Sequence, residues 1–179
     1  MKLLAVNLKD YLLLSSTERQ DYEHAFKYAK ECEPKDTASF GMLQKKTFGE
    51  VKDIQDLFSS AASFELFISY FEKLILSLNI FEVVAFYRYI QSQVEFINEI
   101  EIKAIISEKL GSDSQDASNR FSKYGVFMQI DALANGDVTK YDLVRNIQYE
   151  TGLLKLSLSK DTSEFQNERL NKIKQDAKI

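Results

Sequence analysis

Cysteine, proline, glycine, histidine and tryptophan are scarce or missing in this sequence. A single cysteine, Cys32, cannot close an intrachain disulfide, so a reducing compartment is the expected setting. One proline and six glycines are too few for a turn-rich β fold. The glycines never cluster, which excludes a phosphate-cradling loop. The lone histidine, His24, stands eight residues before Cys32. That is just over about two helical turns, too far for direct proton transfer along one helix. His24 therefore reads as an ordinary surface or half-buried helix residue.

Strong charge of either sign is also missing. The formal net charge of −4 gives no electrostatic reason to expect nucleic acid. Lys45-Lys46 and the C-terminal lysines are too few, and too mixed with acids, for a phosphate-binding stripe. No run of about 18 uncharged apolar residues occurs, because Glu72, Lys73, Glu82 and Arg88 break the best candidate, so no membrane span is expected. Met1 to Val6 is a poor secretory leader, since Asn7, Lys9 and Asp10 interrupt the apolar run too early.

What is present is a dense apolar stretch from Phe64 to Leu110 with no proline or glycine. Ile80, Val83, Tyr87, Ile90, Val94 and Ile97 recur at spacings of three and four, and Phe86, Tyr89, Phe96 and Ile100 widen the stripe. Arg88, Gln91, Ser92, Glu95 and Glu99 fall on the opposite side. So wide an apolar arc marks a central helix with several neighbours.

Capping signals divide the rest. A first helix is expected from Lys2 to Leu14. Ser15-Ser16-Thr17-Glu18 is a capping box opening a second, to Cys32, before Glu33-Pro34. Lys35 to Lys46 reads as a loop. Thr47-Phe48-Gly49-Glu50 is another box, opening a helix to Phe58. Ser63 is the expected cap of a helix over Phe64 to Leu78, with Asn79 a break or bend. The long helix follows from Ile80 to Leu110, closed by Gly111. Ser112 to Asp116 reads as a linker. A helix then runs to Ala134, disturbed at Gly125 and stopped by Asn135-Gly136. Thr139 opens the next, broken at Gly152, and Ser159 to Asp161 caps a last polar helix. The expected fold is all-α, a bundle of about six to seven helices with one long central helix. Residues 1–158 form the bundle domain, and residues 159–179 form a C-terminal helical arm.

The chemistry-bearing residues are few. Asp131 to Asp142 superficially matches a calcium loop, with Asp131, Asn135, Gly136, Asp137 and Asp142 at suitable positions. Leu133 falls where an oxygen ligand is needed, and Asp142 reaches less far than the usual glutamate. A helix–Asn-Gly–helix turn with Thr139 as second cap explains the same residues, so no metal site is expected. The pairs Glu99 with Glu101 and Glu164 with Glu168 read as solvated faces. No catalytic, cofactor-binding or metal site emerges, and no small-molecule substrate is implied. The arm offers Phe165, Leu170 and Ile173 as its apolar anchors, too thin a stripe for a helix that must stand alone. These three are the candidate partner-binding residues.

Two segments carry a resemblance: Thr47-Phe48-Gly49-Glu50-Val51, and Tyr124-Gly-Val-Phe-Met-Gln-Ile-Asp-Ala-Leu-Ala-Asn-Gly-Asp-Val-Thr-Lys-Tyr-Asp142. They are similar in style to small helical proteins of tailed bacteriophages, placed with tail-assembly chaperones and minor virion components. No functional residue carries over. The resemblance implies a non-enzymatic interaction protein that binds other phage structural proteins or itself, in the virion or the cytoplasm of the infected host. The alternative is a phage-encoded regulatory or host-interaction protein. Its helix-turn-helix version would read DNA with only Lys140 and Arg145 beside Asp142, a poor groove binder.

Overall fold

A computed structural model describes residues 6–26, 41–59, 63–105 and 125–176 of the chain. Among these residues the secondary structure is helical, with no strand longer than an isolated bridge. The α-helices are α1 (Leu8–Leu13), α2 (Ser16–Phe26), α3 (Phe48–Ser59), α4 (Ser63–Ile75), α5 (Ile80–Ile105), α6 (Val126–Ala134), α7 (Tyr141–Arg145) and α8 (Tyr149–Asp176). Single 3-10 turns cover Leu43–Lys45 and Val138–Lys140. The all-α class and the long α5 are as the apolar spacing predicts.

The chain divides into two units, each discontinuous in sequence. One comprises residues 1–43 and 54–96, the other 44–53 and 97–179.

In the first unit the core is aromatic. Phe67 of α4 is fully buried and centres a cluster of rings. Its ring lies 4.8 Å from Phe71, 5.5 Å from Phe86 and 5.2 Å from Tyr87, and Phe58 closes on Tyr87 at 5.0 Å. Tilted and edge-on rings at these separations add attraction beyond the area they bury. Val83, Ile90 and Val94 of α5 are buried as their spacing predicts, but Phe96 is half exposed. Phe96 therefore leaves the stripe to which the sequence assigned it.

The helix starts follow the capping chemistry. Glu18 Oε2 accepts from the Ser15 amide and hydroxyl, at 2.9 and 2.6 Å. Glu50 Oε2 accepts from the Thr47 amide and hydroxyl, at 2.9 and 2.8 Å. Both carboxyl groups are held below their ordinary range: Glu18 chiefly by the Ser15 hydroxyl, Glu50 chiefly by the Thr47 amide. A third box is built on asparagine: Asn79 Oδ1 accepts from the Phe81 and Glu82 amides, and Glu82 accepts from the Asn79 amide at 2.9 Å. Asn79 is thus the cap of α5. Asn7 caps α1 in the same manner, through the Asp10 amide. The described helix consequently begins at Leu8, not near Lys2, since Val6 and Asn7 lie outside it.

Further expectations are corrected. α4 stops at Ile75, short of the expected end at Leu78. Thr139 is not the second cap of its turn. Asp137 is, accepting from the Thr139 amide at 3.1 Å and hydroxyl at 2.6 Å. The break expected at Gly152, and the cap at Ser159 to Asp161, do not occur. α8 runs unbroken through residues 158 and 159, and the chain instead turns at Asn146 to Gln148.

The reason lies in what that turn meets. Phe48 N–H donates to the Ile147 carbonyl at 2.8 Å, and Tyr149 N–H donates to the Lys46 carbonyl at 3.1 Å. Gly152 then sits against the Phe48 ring, where an added Cβ would lie 2.6 Å from Cδ2. Glycine is needed there for close approach, not for a break. The helix ends expected near Cys32 and at Gly111, and the linker after it, lie outside the described residues.

Two outcomes follow. Ile90→Asp should lose at least about 3 kcal/mol of stability, because it places an unpaired charge at a fully buried site. A thermal melt followed by far-ultraviolet circular dichroism reads this directly. Gly152→Ala should destabilise by about 1–3 kcal/mol. An unobstructed helix interior would instead gain up to about 1 kcal/mol from the same change, so the sign of the effect reports the Phe48 contact.

Candidate functional site

The second unit holds the densest polar chemistry among the described residues. Lys52 of α3 is only 2% exposed, a burial that lysine tolerates only with a partner. Its ammonium donates to both carboxylate oxygens of Glu101, on α5, at 2.6 Å each. Tyr149, the first residue of α8, donates its hydroxyl to Glu101 Oε1 at 2.7 Å. The Phe48 ring stacks on Tyr149 at 6.1 Å and lies under the Lys52 ammonium at 5.4 Å. Burial, and then the Glu101 carboxylate, push the Tyr149 phenol far above its ordinary value.

The sequence reading placed Glu101 on a solvated face. The structure turns it inward, because Lys52 stands there. The signal was available: Lys52 follows Phe48 by four residues and adjoins Val51, so it lies within the apolar stripe of α3. A charge at such a position calls for a buried counter-charge, and the sequence does not say which acid supplies it.

This cluster joins three helices. The Lys52 ammonium is closed off and committed to a carboxylate. At its edge Arg145 of α7 grips both Asp53 oxygens at 2.8 and 2.7 Å, and Lys45 meets Glu150 at 2.9 Å in solvent. In the neighbouring turn the Asp131 carboxylate accepts the Tyr141 hydroxyl at 2.7 Å, and Asn135 takes the left-handed conformation that ends α6. Asp131 and Asp137, two of the residues that resemble calcium ligands, thus hold the turn together. His24 lies in α2, and Cys32 lies outside the described residues.

The candidate partner-binding residues all lie on the outer part of α8. Its first turns are anchored, with Tyr149, Gly152 and Leu156 buried. Beyond Leu156 no residue up to Asp176 is buried. Phe165 is 60% exposed, Leu170 53% and Ile173 59%, and Leu158 is also open. On a helical wheel Leu158, Phe165 and Ile173 fall within an arc of about 80°, with Leu170 some 60° beyond Ile173. Gln166, Arg169, Leu170 and Ile173 border a shallow hollow of about 330 Å³. The Arg169 guanidinium lies 6.0 Å from the Phe165 ring, one turn away. The structure thus groups all three sequence candidates on one exposed helix and adds Leu158 to them. No helix among the described residues is long and apolar enough to cross a membrane.

Comparison with protein-family models, with curated proteins and with solved structures finds no match.

The buried cluster makes two outcomes measurable. Glu101→Gln should cost about 3–5 kcal/mol by leaving the Lys52 charge unpaired, whereas Lys52→Met combined with Glu101→Leu should cost far less. Urea unfolding of both variants compares them. Tyr149→Phe should cost about 1 kcal/mol at neutral pH. A raised folded pKa stabilises the protonated phenol. Its contribution is whole below the ordinary tyrosine value of 10.0 and drains away as pH climbs above it. The wild-type thermal midpoint should therefore fall above that pH, and fall less steeply in Tyr149→Phe.

Proposed function

We propose that this protein is a non-enzymatic interaction component that presents the outer part of α8 to a protein partner. One observation carries the reading. From Leu158 to Asp176 the helix has no buried residue, yet it exposes Leu158, Phe165, Leu170 and Ile173. An isolated helix of this length is marginal in water, and a thin stripe facing solvent contributes nothing to hold it. An amphipathic helix laid into a groove or against another helix supplies the missing surface. The proposed setting is a tailed-bacteriophage particle or its assembly, in the virion or the infected cell. Its support is the resemblance at Thr47 to Val51 and Tyr124 to Asp142. The polar cluster supports the same reading, since it ties α8 to α3 and α5.

Deleting residues 159–179 should move the thermal midpoint by less than about 2 °C, because the deleted part buries no side chain among its described residues. In the intact chain, p-benzoylphenylalanine in place of Phe165 should cross-link to protein on irradiation of the producing cells. A truncated chain that no longer folds would return this helix to the core and end the proposal. Irradiation without any protein adduct would end it equally.

A further inference from the structure

Asn135 is the one asparagine in this sequence that a glycine follows. Elsewhere the next residue is larger, as in Asn98-Glu99 and Asn146-Ile147. An asparagine–glycine pair can attack itself. The glycine backbone nitrogen bonds to the asparagine Cγ, gives up its proton, and expels the side-chain nitrogen as ammonia. Water then opens the cyclic imide at either carbonyl, leaving aspartate or isoaspartate. Glycine favours the attack because no Cβ hinders the approach and its backbone turns freely. Asparagine is among the thermolabile residues for this reason.

The pair lies in the open, for Asn135 and Gly136 are both exposed at the end of α6. Its geometry nevertheless forbids ring closure. Asn135 has φ 54° and ψ 41°. At that ψ the Gly136 nitrogen stands nearly anti to the Asn135 Cβ across the Cα–C bond, the arrangement farthest from the ring. The Gly136 N–H is also engaged, donated to the Asp131 carbonyl at 3.0 Å. The Tyr141 hydroxyl holds the Asp131 carboxylate at 2.7 Å, and the Asp137 N–H donates to the Ala134 carbonyl at 3.2 Å. The turn must open, with ψ swung round, before the nitrogen can reach Cγ.

We infer that Asn135-Gly136 is a deamidation site kept shut by the fold, and that the reaction, once it occurs, keeps the turn between α6 and α7 from re-forming. Isoaspartate carries the chain through the former Cβ, so the left-handed residue that ends α6 can no longer be built. Aspartate puts a negative charge beside the last carbonyls of α6, where the helix dipole is already negative. The same turn already holds the carboxylates of Asp131 and Asp137. It leads into α7, whose Arg145 grips Asp53, so its loss loosens the second unit at that edge. Because ammonia escapes, the change runs one way, and the pair records how often the turn has opened.

The test is mass spectrometry of the tryptic peptide spanning residues 124–140. It is sampled over time from the full chain at mildly alkaline pH, folded and in guanidinium chloride. Amide loss at Asn135 should be at least about tenfold slower in the folded chain, since the open turn is a minor population. Tyr141→Phe removes the bond to Asp131. It should speed the loss about 2- to 10-fold in the folded chain and leave the unfolded rate unchanged. Circular dichroism checks that this variant is folded. Asn135→Asp should melt about 1–4 °C below wild type. Equal rates in the folded and unfolded chains overturn the gating, as does a folded Tyr141→Phe chain that reacts at the wild-type rate. No amide loss in guanidinium chloride overturns the site itself. An Asn135→Asp chain that melts with wild type, or above it, overturns the claim that the product opposes the turn.

Discussion

An α-helix begins with amides that have no partner inside it, and in this protein two pairs of helix starts satisfy that need for each other. Asn7, ahead of α1, and Asn79, ahead of α5, form an isolated antiparallel bridge. Through it Leu8 N–H reaches the Leu78 carbonyl and Ile80 N–H reaches the Val6 carbonyl. Thr47, ahead of α3, and Gln148, ahead of α8, repeat the arrangement, so that Phe48 and Tyr149 donate to Ile147 and Lys46. Each unit contains one such junction, and each junction fixes two helices at their origins. Side-chain caps from Asn7, Thr47 and Asn79 then take the donors one turn further in.

In the second unit, core packing follows from that junction. Once Phe48 and Tyr149 start their helices side by side, their rings stack, and Gly152 gives Phe48 the room to lie against α8. Lys52, one turn past Phe48, is carried into the interior and must find a carboxylate there. Glu101 provides it, with the Tyr149 hydroxyl as a further donor. A buried ion pair of this kind is weak evidence for stability, since its desolvation can offset its attraction. It does penalise wrong arrangements: slipping α3, α5 or α8 by a turn would strand a charge.

The sequence shows the local part of this clearly and the distant part hardly at all. Ser15 with Glu18 and Thr47 with Glu50 are legible because both members of each box lie within four residues. The spacing of Ile80, Val83, Ile90 and Val94 is legible because it repeats. Gly152 misleads because its reason is Phe48, more than a hundred residues away, and local propensity reads a mid-helix glycine as a break. The turn at Asn146 to Gln148 goes unread for the same reason, since its carbonyl and amide partners are Phe48 and Lys46. Glu101 looks solvated until Lys52 is placed beside it. Of the candidate site, Phe165, Leu170 and Ile173 are visible as a thin stripe, whereas Leu158 is hidden by the expected cap that would have separated it from them.

The interleaving of the two units bears on the order in which they can form. Every long-range tie of the first unit is in hand once residue 96 has left the ribosome. The second cannot close until Tyr149 and the first turns of α8 emerge, because Thr47 pairs with Gln148 and the partners of Glu101 stand at both ends of that span. At a synthesis rate of about 5–20 residues per second, Phe48 and the residues around it wait several seconds for their cover. During that interval a newly made chain shows its neighbours an uncovered aromatic ring on α3, and crowded polysomes are where such a surface would meet another copy first. Protection of nascent chains is thus a demand that this topology places on the cell before any finished protein exists.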